Sequence, residues 1–241
     1  MDQYNTDQFV KDLTALGITL TEQQIQQFIQ YYEMLVEWNQ VMNLTAITEY
    51  DDVMKKHFVD SVSLIKAYDV SKSASVIDVG TGAGFPGLAL KIAYPNLKVT
   101  LLDSLNKRIN FLNAVIEKLE LTGVDTVHGR AEDFAKPDKL REKFDLCVSR
   151  AVANLASLTE LCMPFVKVGG YFVSLKGPKA EEEVADAKKA IALLGGEFVE
   201  IKNYAIDETD LEHNLVIIKK IKPCEKRFPR NAPKPIKEPL K

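Results

Sequence analysis

The run Asp78-Val79-Gly80-Thr81-Gly82-Ala83-Gly84-Phe85-Pro86-Gly87 is where the rhythm of the chain changes. Just before it, residues 75–79 are a short apolar run of buried-strand character, and just after it residues 88–94 read as a helix. Glycines at such a junction let the backbone turn tightly and approach a ligand closely, because no side chain intervenes. Toward the C-terminus, strands are predicted at 98–103, 124–128, 144–149, 171–175, 197–204 and 214–220. Helices fall between them: one capped by Ser104 with Ile109, Leu112, Val115, Ile116 and Leu119 on one face, then 155–166 and 180–194. Seven strands alternating with helices predict an α/β architecture, a mostly parallel sheet with helices on both faces. Such sheets bind ligands at the carboxyl ends of their strands, beside the topological switch point.

Toward the N-terminus the first 70 residues read as helical. Phe9, Val10, Leu13 and Leu16 share a face, and Gly17 is placed for a left-handed C-cap. Thr21 opens a second helix with Gln24 as capping-box partner and an apolar stripe through Ile25, Phe28, Ile29, Tyr32, Leu35 and Val36. Residues 53–68 repeat the helical spacing less cleanly. The expected organisation is a helical cap over 1–70, a sheet domain over 71–222 and a basic, proline-rich tail over 223–241.

Composition bounds the function. With 241 residues, 46% hydrophobic and 27% charged, the chain is globular, and disordered, collagenous and coiled-coil classes are excluded. No apolar run reaches the roughly 18 residues of a membrane span, and the N-terminus lacks the basic-then-apolar pattern of a secretory signal, so a cytoplasmic protein without a membrane partner is expected. Cys147, Cys162 and Cys224 form no paired spacing, and no metal is expected. From Lys219 to Lys241 nine basic residues face two acidic ones, while the remainder of the chain carries a net charge of −10. Five of the ten prolines also lie in this tail, so it reads as an extended contact for a polyanion, or else as a solubilising terminus.

Two ligands compete for the glycine run. Gly82, Gly84 and Gly87 match the G-x-G-x-x-G of dinucleotide-binding folds, whereas Asp78, Gly80, Gly82 and Gly84 match the acidic-x-G-x-G-x-G loop of S-adenosylmethionine-dependent methyltransferases. A carboxylate at position 78 suits the ammonium and sulfonium of the methyl donor and repels a pyrophosphate. The chain also leaves almost no room for a dehydrogenase's substrate domain. The methyl donor is therefore favoured. Asp103, ending the second strand, is the expected acceptor for ribose hydroxyls, with a turn carboxylate as the duller reading, and Ala131-Glu132 follow the third strand where adenine-binding groups sit.

The end of the fourth strand narrows the acceptor. Ser149-Arg150-Ala151-Val152 contains neither the Asp/Asn-Pro-Pro-aromatic motif of adenine amino methyltransferases nor a Pro-Cys nucleophile. An acceptor that needs little activation fits, such as the free lone pair of guanine ring nitrogen seven; a carboxylate or phenolate is also compatible.

Over nearly its full length the chain resembles the glucose-inhibited division protein B family, bacterial methyltransferases of 16S ribosomal RNA that modify guanine at ring nitrogen seven. The resemblance rests, in order, on Trp38-Asn39-Gln40-Val41-Met42-Asn43-Leu44-Thr45, His57-Phe58-Val59-Asp60-Ser61, the loop from Asp78 to Gly87, Asp103-Ser104-Leu105-Asn106-Lys107-Arg108, Gly129-Arg130-Ala131-Glu132, Ser149-Arg150-Ala151, Leu175-Lys176-Gly177 and Arg227-Phe228-Pro229-Arg230. It implies a Rossmann-like class I methyltransferase fold. It implies that Gly80, Phe85, Ala131, Glu132 and Arg150 contact S-adenosylmethionine, with Asp103 on the ribose, and that Asn43, His57, Arg150 and Lys176 line the acceptor side. The family loop often has Ala where this chain has Thr81, and its tail pattern differs from Pro229-Arg230-Asn231-Ala232-Pro233-Lys234-Pro235.

On this reading the partner is 16S ribosomal RNA or a small-subunit particle and the protein is a monomer. The basic tail, Lys107-Arg108 and the loop after Lys176 are the expected RNA contacts. Arg150 and Lys176 act as clamps on phosphate or the guanine oxygen, not as proton acceptors. Taken singly, His57 reads as a partly buried hydrogen-bonded group, Asn43 as a helix-cap or turn residue and Lys176 as a loop charge; His128 and His213 read as structural. Other classes are a small-molecule methyltransferase and a non-catalytic binding module.

Overall fold

Val76, Ile77, Asp78 and Val79 are all buried, as befits a strand covered on both faces. This strand, β1 (Ser75–Val79), lies at the middle of a seven-stranded sheet with β2 (Lys98–Asp103), β3 (Val124–His128), β4 (Phe144–Arg150), β5 (Val166–Lys176), β6 (Gly196–Tyr204) and β7 (His213–Lys220). The order is β3-β2-β1-β4-β5-β7-β6; the first five strands run parallel, and β7 is antiparallel to both β5 and β6. The chain reverses its direction of winding between β1 and β4, which puts the switch point at the carboxyl end of β1. The computed structural model describes residues 4–70, 74–150, 152–204 and 213–241. Met1 to Gln3 and Ala151, which enter the sequence reading, lie outside the described residues.

Alternation along the strands sorts the core into two layers. Val76, Val99, Leu101, Leu146 and Val148 face the N-terminal helices, with Phe28, Leu35 and Phe58, while Ile77, Leu102, Cys147 and Phe172 face the opposite side, with Leu158, Ala187 and Phe228. The first layer holds α1 (Asp7–Ala15), α2 (Glu22–Met42), α5 (Gly87–Ala93) and α6 (Asn106–Lys118); the second holds α8 (Leu155–Cys162) and α9 (Ala180–Leu193). The predicted Thr21–Gln24 capping box opens α2, and Gly17 takes the left-handed conformation at φ +78 just after α1. Gln24 and Gln27 then donate to Ile92 O, Ala93 O and Leu119 O, carbonyls at the C-terminal ends of α5 and α6 that have no intrahelical partner. These bonds fix the helical cap to the sheet.

Two local expectations are corrected. The irregular spacing over 53–68 reflects a change of helix type: α3 (Tyr50–Val53) continues into a π-turn over Met54–Val59, then α4 (Asp60–Val62) and a 3-10 turn over Ser63–Lys66. Ser104 does not cap α6; the Asp103 carboxylate does the equivalent work by accepting from Leu105 N at 2.9 Å. The short helices α7 (Ala131–Phe134) and α10 (Lys234–Lys237) complete the chain. Residues 223–241, with little regular structure, are packed against α8: Phe228 and Pro235 are buried, and Arg230 pairs with the fully buried Glu160. No helix among the described residues is long and apolar enough to cross a membrane.

Candidate active site

At the carboxyl ends of β1, β2 and β4 the structure opens a cleft of about 420 Å³, lined by Thr45, His57, the loop at Gly80–Ala83, Phe85, Asp103, Arg108, Arg150 and Val152. A second cavity of about 170 Å³ adjoins it, sharing Gly80, Asp103, Ser104 and Val152 and adding Ala131, Glu132, Leu161 and Ile236. Ten of the twelve sequence-predicted site residues meet here or directly behind, and Asn43 and Lys176 do not.

The glycines divide by what stands opposite them. A Cβ at Gly82 would meet nothing within 4 Å, so that residue opens onto the cleft, and its N–H donates to Asp103 Oδ2 at 2.9 Å. A Cβ at Gly84 would stand 2.3 Å from the Tyr31 hydroxyl oxygen and 2.8 Å from Leu88, so this glycine serves packing against α2. Tyr31 also donates its hydroxyl to Ala83 O, bonding the helical cap directly to the loop.

Asp78 lies behind the loop and not at the cleft wall. Position 78 shares the sheet face of Val76, so its side chain points under α5, where Oδ2 accepts from Thr81 Oγ1 at 2.7 Å and from Gly87 N at 2.8 Å. Oδ1 is buried without a hydrogen-bond partner among the described residues. Burial pushes this carboxyl up to about 6 against the bonds from Thr81 and Gly87 that favour its ionised form. Thr81, the departure from the resembling loops, is thus structural support for Asp78. Asp103, 3% exposed, receives Gly82 N, Leu105 N and Arg108 Nη1, the last at 3.3 Å.

On the other wall His57 stacks on Phe85 with ring centroids 4.7 Å apart, and the Arg150 guanidinium lies 5.0 Å over the same ring. Arg150 Nη1 donates to Asp60 Oδ2 at 2.8 Å and to Lys56 O at 3.2 Å, while Nη2 is 3.2 Å from His57 Nδ1. His57 Nδ1 also lies 3.2 Å from Lys56 O, and Nε2 faces Thr45 Oγ1 at 2.8 Å, so both ring nitrogens have polar partners. Burial, reinforced by the charge of Arg150, lowers the His57 imidazole to about 4, so it is neutral at physiological pH.

Asp60, which sequence reasoning leaves without a role, organises this wall. Its Oδ1 accepts from Tyr204 Oη at 2.6 Å and His213 Nδ1 at 2.8 Å. Burial alone would raise the carboxyl, but the bonds from His213, Tyr204 and Arg150 hold it below the usual carboxylate range. A charged residue amid the apolar Phe58, Val59 and Val62 is the signal that could have marked it, since a buried charge needs partners. Lys176 turns away from the cleft: its ammonium donates to Ala153 O at 2.6 Å and Glu183 Oε2 at 2.7 Å. Asn43 is the left-handed C-cap residue of α2, at φ 50, and is exposed. Lys107 donates to Met42 O, closing the same helix end.

The arrangement suits a nucleoside carrying a cationic group. An orphan carboxylate oxygen lies under the loop, an open glycine backbone faces the cleft, Asp103 stands between the two cavities, and the smaller cavity combines apolar walls with Glu132. The residues present therefore fit S-adenosylmethionine.

Sheet order, switch-point cleft and glycine loop define a class I methyltransferase. Solved structures agree on the fold: a SAM dependent methyltransferase from Aquifex aeolicus matches with TM-score 0.55 at 17% identity, over 73% of this chain and 96% of that one. M. jannaschii TYW2 in complex with AdoMet matches with TM-score 0.52 at 15% identity, over 67% and 77%. The chain belongs to the rRNA small subunit methyltransferase G family, whose model matches residues 24–216. Relatives bearing the name ribosomal RNA small subunit methyltransferase G include one from Lachnoclostridium phytofermentans, 53% identical over 96% of both chains, and one from Alkaliphilus oremlandii, 54% identical over 94% of this chain and 95% of its own.

Proposed function

We propose that this methyltransferase uses S-adenosylmethionine to methylate ring nitrogen seven of a guanine in 16S ribosomal RNA, in the cytoplasm. The observation that carries the reading is the cleft itself: an open glycine turn with Asp78 beneath it faces an Arg150–His57–Phe85 wall whose imidazole is neutral and whose guanidinium cannot act as a base. When bound, the donor supplies an electrophilic methyl group. The chain supplies alignment, which is worth several kcal/mol without any proton transfer.

Guanine ring nitrogen seven offers a free lone pair at neutral pH, so neither His57, neutral and already hydrogen-bonded at both nitrogens, nor Arg150 has to remove a proton. Phe85 and His57, stacked on one another and nearly buried, border the cleft beside the loop where the base would enter. Arg150, held by Asp60, keeps a donor edge for the guanine oxygen or a phosphate. Lys176 reaches an acceptor only by exchanging its bond to Glu183, so in this arrangement it ties the segment at Ala153 to α9. Asn43 contributes by turning the chain from α2 to Leu44 and Thr45, which line the cleft. The RNA itself is held by phosphate contacts, supplied by the basic C-terminal segment, whose Lys226, Arg227 and Lys234 border, together with Lys136, a separate cavity of about 610 Å³.

Incubation with labelled donor and small-subunit RNA from cells lacking the protein tests this. Label incorporated into the RNA is expected; incorporation into small molecules alone would favour the alternative, a small-molecule methyltransferase.

A further inference from the structure

The C-terminal segment, expected to serve the RNA, also reaches the donor cleft. Its prolines remove backbone donors, so side chains hold it in place. The Arg141 guanidinium donates to Cys224 O, Glu225 O and Phe228 O, and Arg230 bridges Glu160 to Glu238 O. Ser157 Oγ donates to Pro235 O at 2.7 Å, pinning the start of α10 to α8. The residue delivered by this clamp is Ile236. It is 48% exposed although its neighbour Pro235 is buried, and it borders the smaller cavity together with Leu161, Leu102 and Ala131.

We propose that Ile236 forms one wall of the pocket for the adenine ring of the donor, so that the last residues of the chain are a donor-binding element. The inference rests on the donor reading given above. Adenine has two apolar faces and a polar edge, and this cavity offers apolar side chains on its walls with Asp103 and Glu132 as its acceptors. An aliphatic side chain held at the cavity mouth by a pinned backbone gains burial when a flat ring enters. Ile236 borders this cavity and Lys226, Arg227 and Lys234 border the basic one, so a single segment reaches both.

Calorimetric titration with S-adenosylhomocysteine tests the assignment on the full-length chain. Ile236→Ala should raise Kd by about three- to tenfold and Ile236→Asp by more, with the unliganded melting temperature unchanged, since the side chain is half exposed. Val199→Ala, which trims an exposed valine on β6, should leave Kd unchanged. Wild-type binding with both Ile236 variants at wild-type affinity would overturn the role of Ile236 while leaving the donor reading intact. Failure of the wild type to bind would overturn both.

Discussion

Arg150 Nη1 donates to Asp60 Oδ2 at 2.8 Å across 90 residues of sequence, joining the end of β4 to the helical cap. The bond fixes where the guanidinium plane lies over Phe85 and which edge stays free. Asp60→Asn removes the charge partner of a largely buried cation, at a cost of about 3 kcal/mol and roughly 6–12 °C in melting temperature. Turnover should fall by more than tenfold. Arg150→Lys, which keeps the charge without the planar fork, should lose turnover comparably while losing less stability. Wild-type turnover in both variants would remove Arg150 from the mechanism.

Gly82 and Gly84 should respond differently to alanine. Gly82→Ala adds a methyl group that meets only the cleft, at φ +62, so donor affinity should fall with about 1–2 kcal/mol of stability lost to the backbone. Gly84→Ala drives a methyl group into Tyr31 and Leu88 and adds about 1–3 kcal/mol of overpacking to the same backbone strain. Thermal melts with and without donor separate the two.

Donor affinity should rise with pH through about 6. Asp78 is held up to about 6 by burial, and its ionised form is the one that attracts a cation. Thr81→Val removes a bond to that ionised form and should move the midpoint upward; Asp78→Asn should flatten the profile. Calorimetry between pH 5 and 8 reads both.

Stability itself carries two opposing terms in mild acid. His57, near 4 when folded and 6.5 in the unfolded chain, contributes stability that is present above pH 6.5 and lost as pH falls toward 4. Asp78, raised when folded, acts the other way: ionising it between its ordinary value of 3.8 and about 6 costs stability as pH rises. His57→Phe should therefore gain on the wild type as pH drops from 6.5 to 4, read by denaturant melts.

RNA affinity should weaken with salt. Lys226→Glu combined with Lys234→Glu should weaken it further and make its dependence on salt shallower, because fewer phosphates are neutralised and fewer counterions released. Donor affinity measured without RNA should stay at its wild-type value.

Much of the fold is legible in the sequence because its signals are local. Alternation and glycine placement mark all seven strands, and the Thr21–Gln24 pair marks the start of α2. What escapes depends on distant partners. Ser104 has the residue type of a cap, but a carboxylate one residue earlier reaches the helix start first. Asp78 reads from sequence as facing the ligand, and only strand alternation against the packed α5 shows it turned beneath the loop. Lys176 reads as standing at the sheet's mouth, and Glu183 on α9 draws it back. Asp60, Tyr31 and Ile236 gain their roles from residues far along the chain, which no short window of sequence brings together.

The central claim is met most directly by mapping the methylated position. Small-subunit RNA from cells lacking the protein, treated with enzyme and donor, then with borohydride and aniline, should break at one guanine, because methylation at ring nitrogen seven renders that nucleotide labile. Primer extension should stop at one guanine only when active enzyme was present. Label incorporated into RNA with no such break, or a break equally strong with Arg150→Ala, would contradict the account.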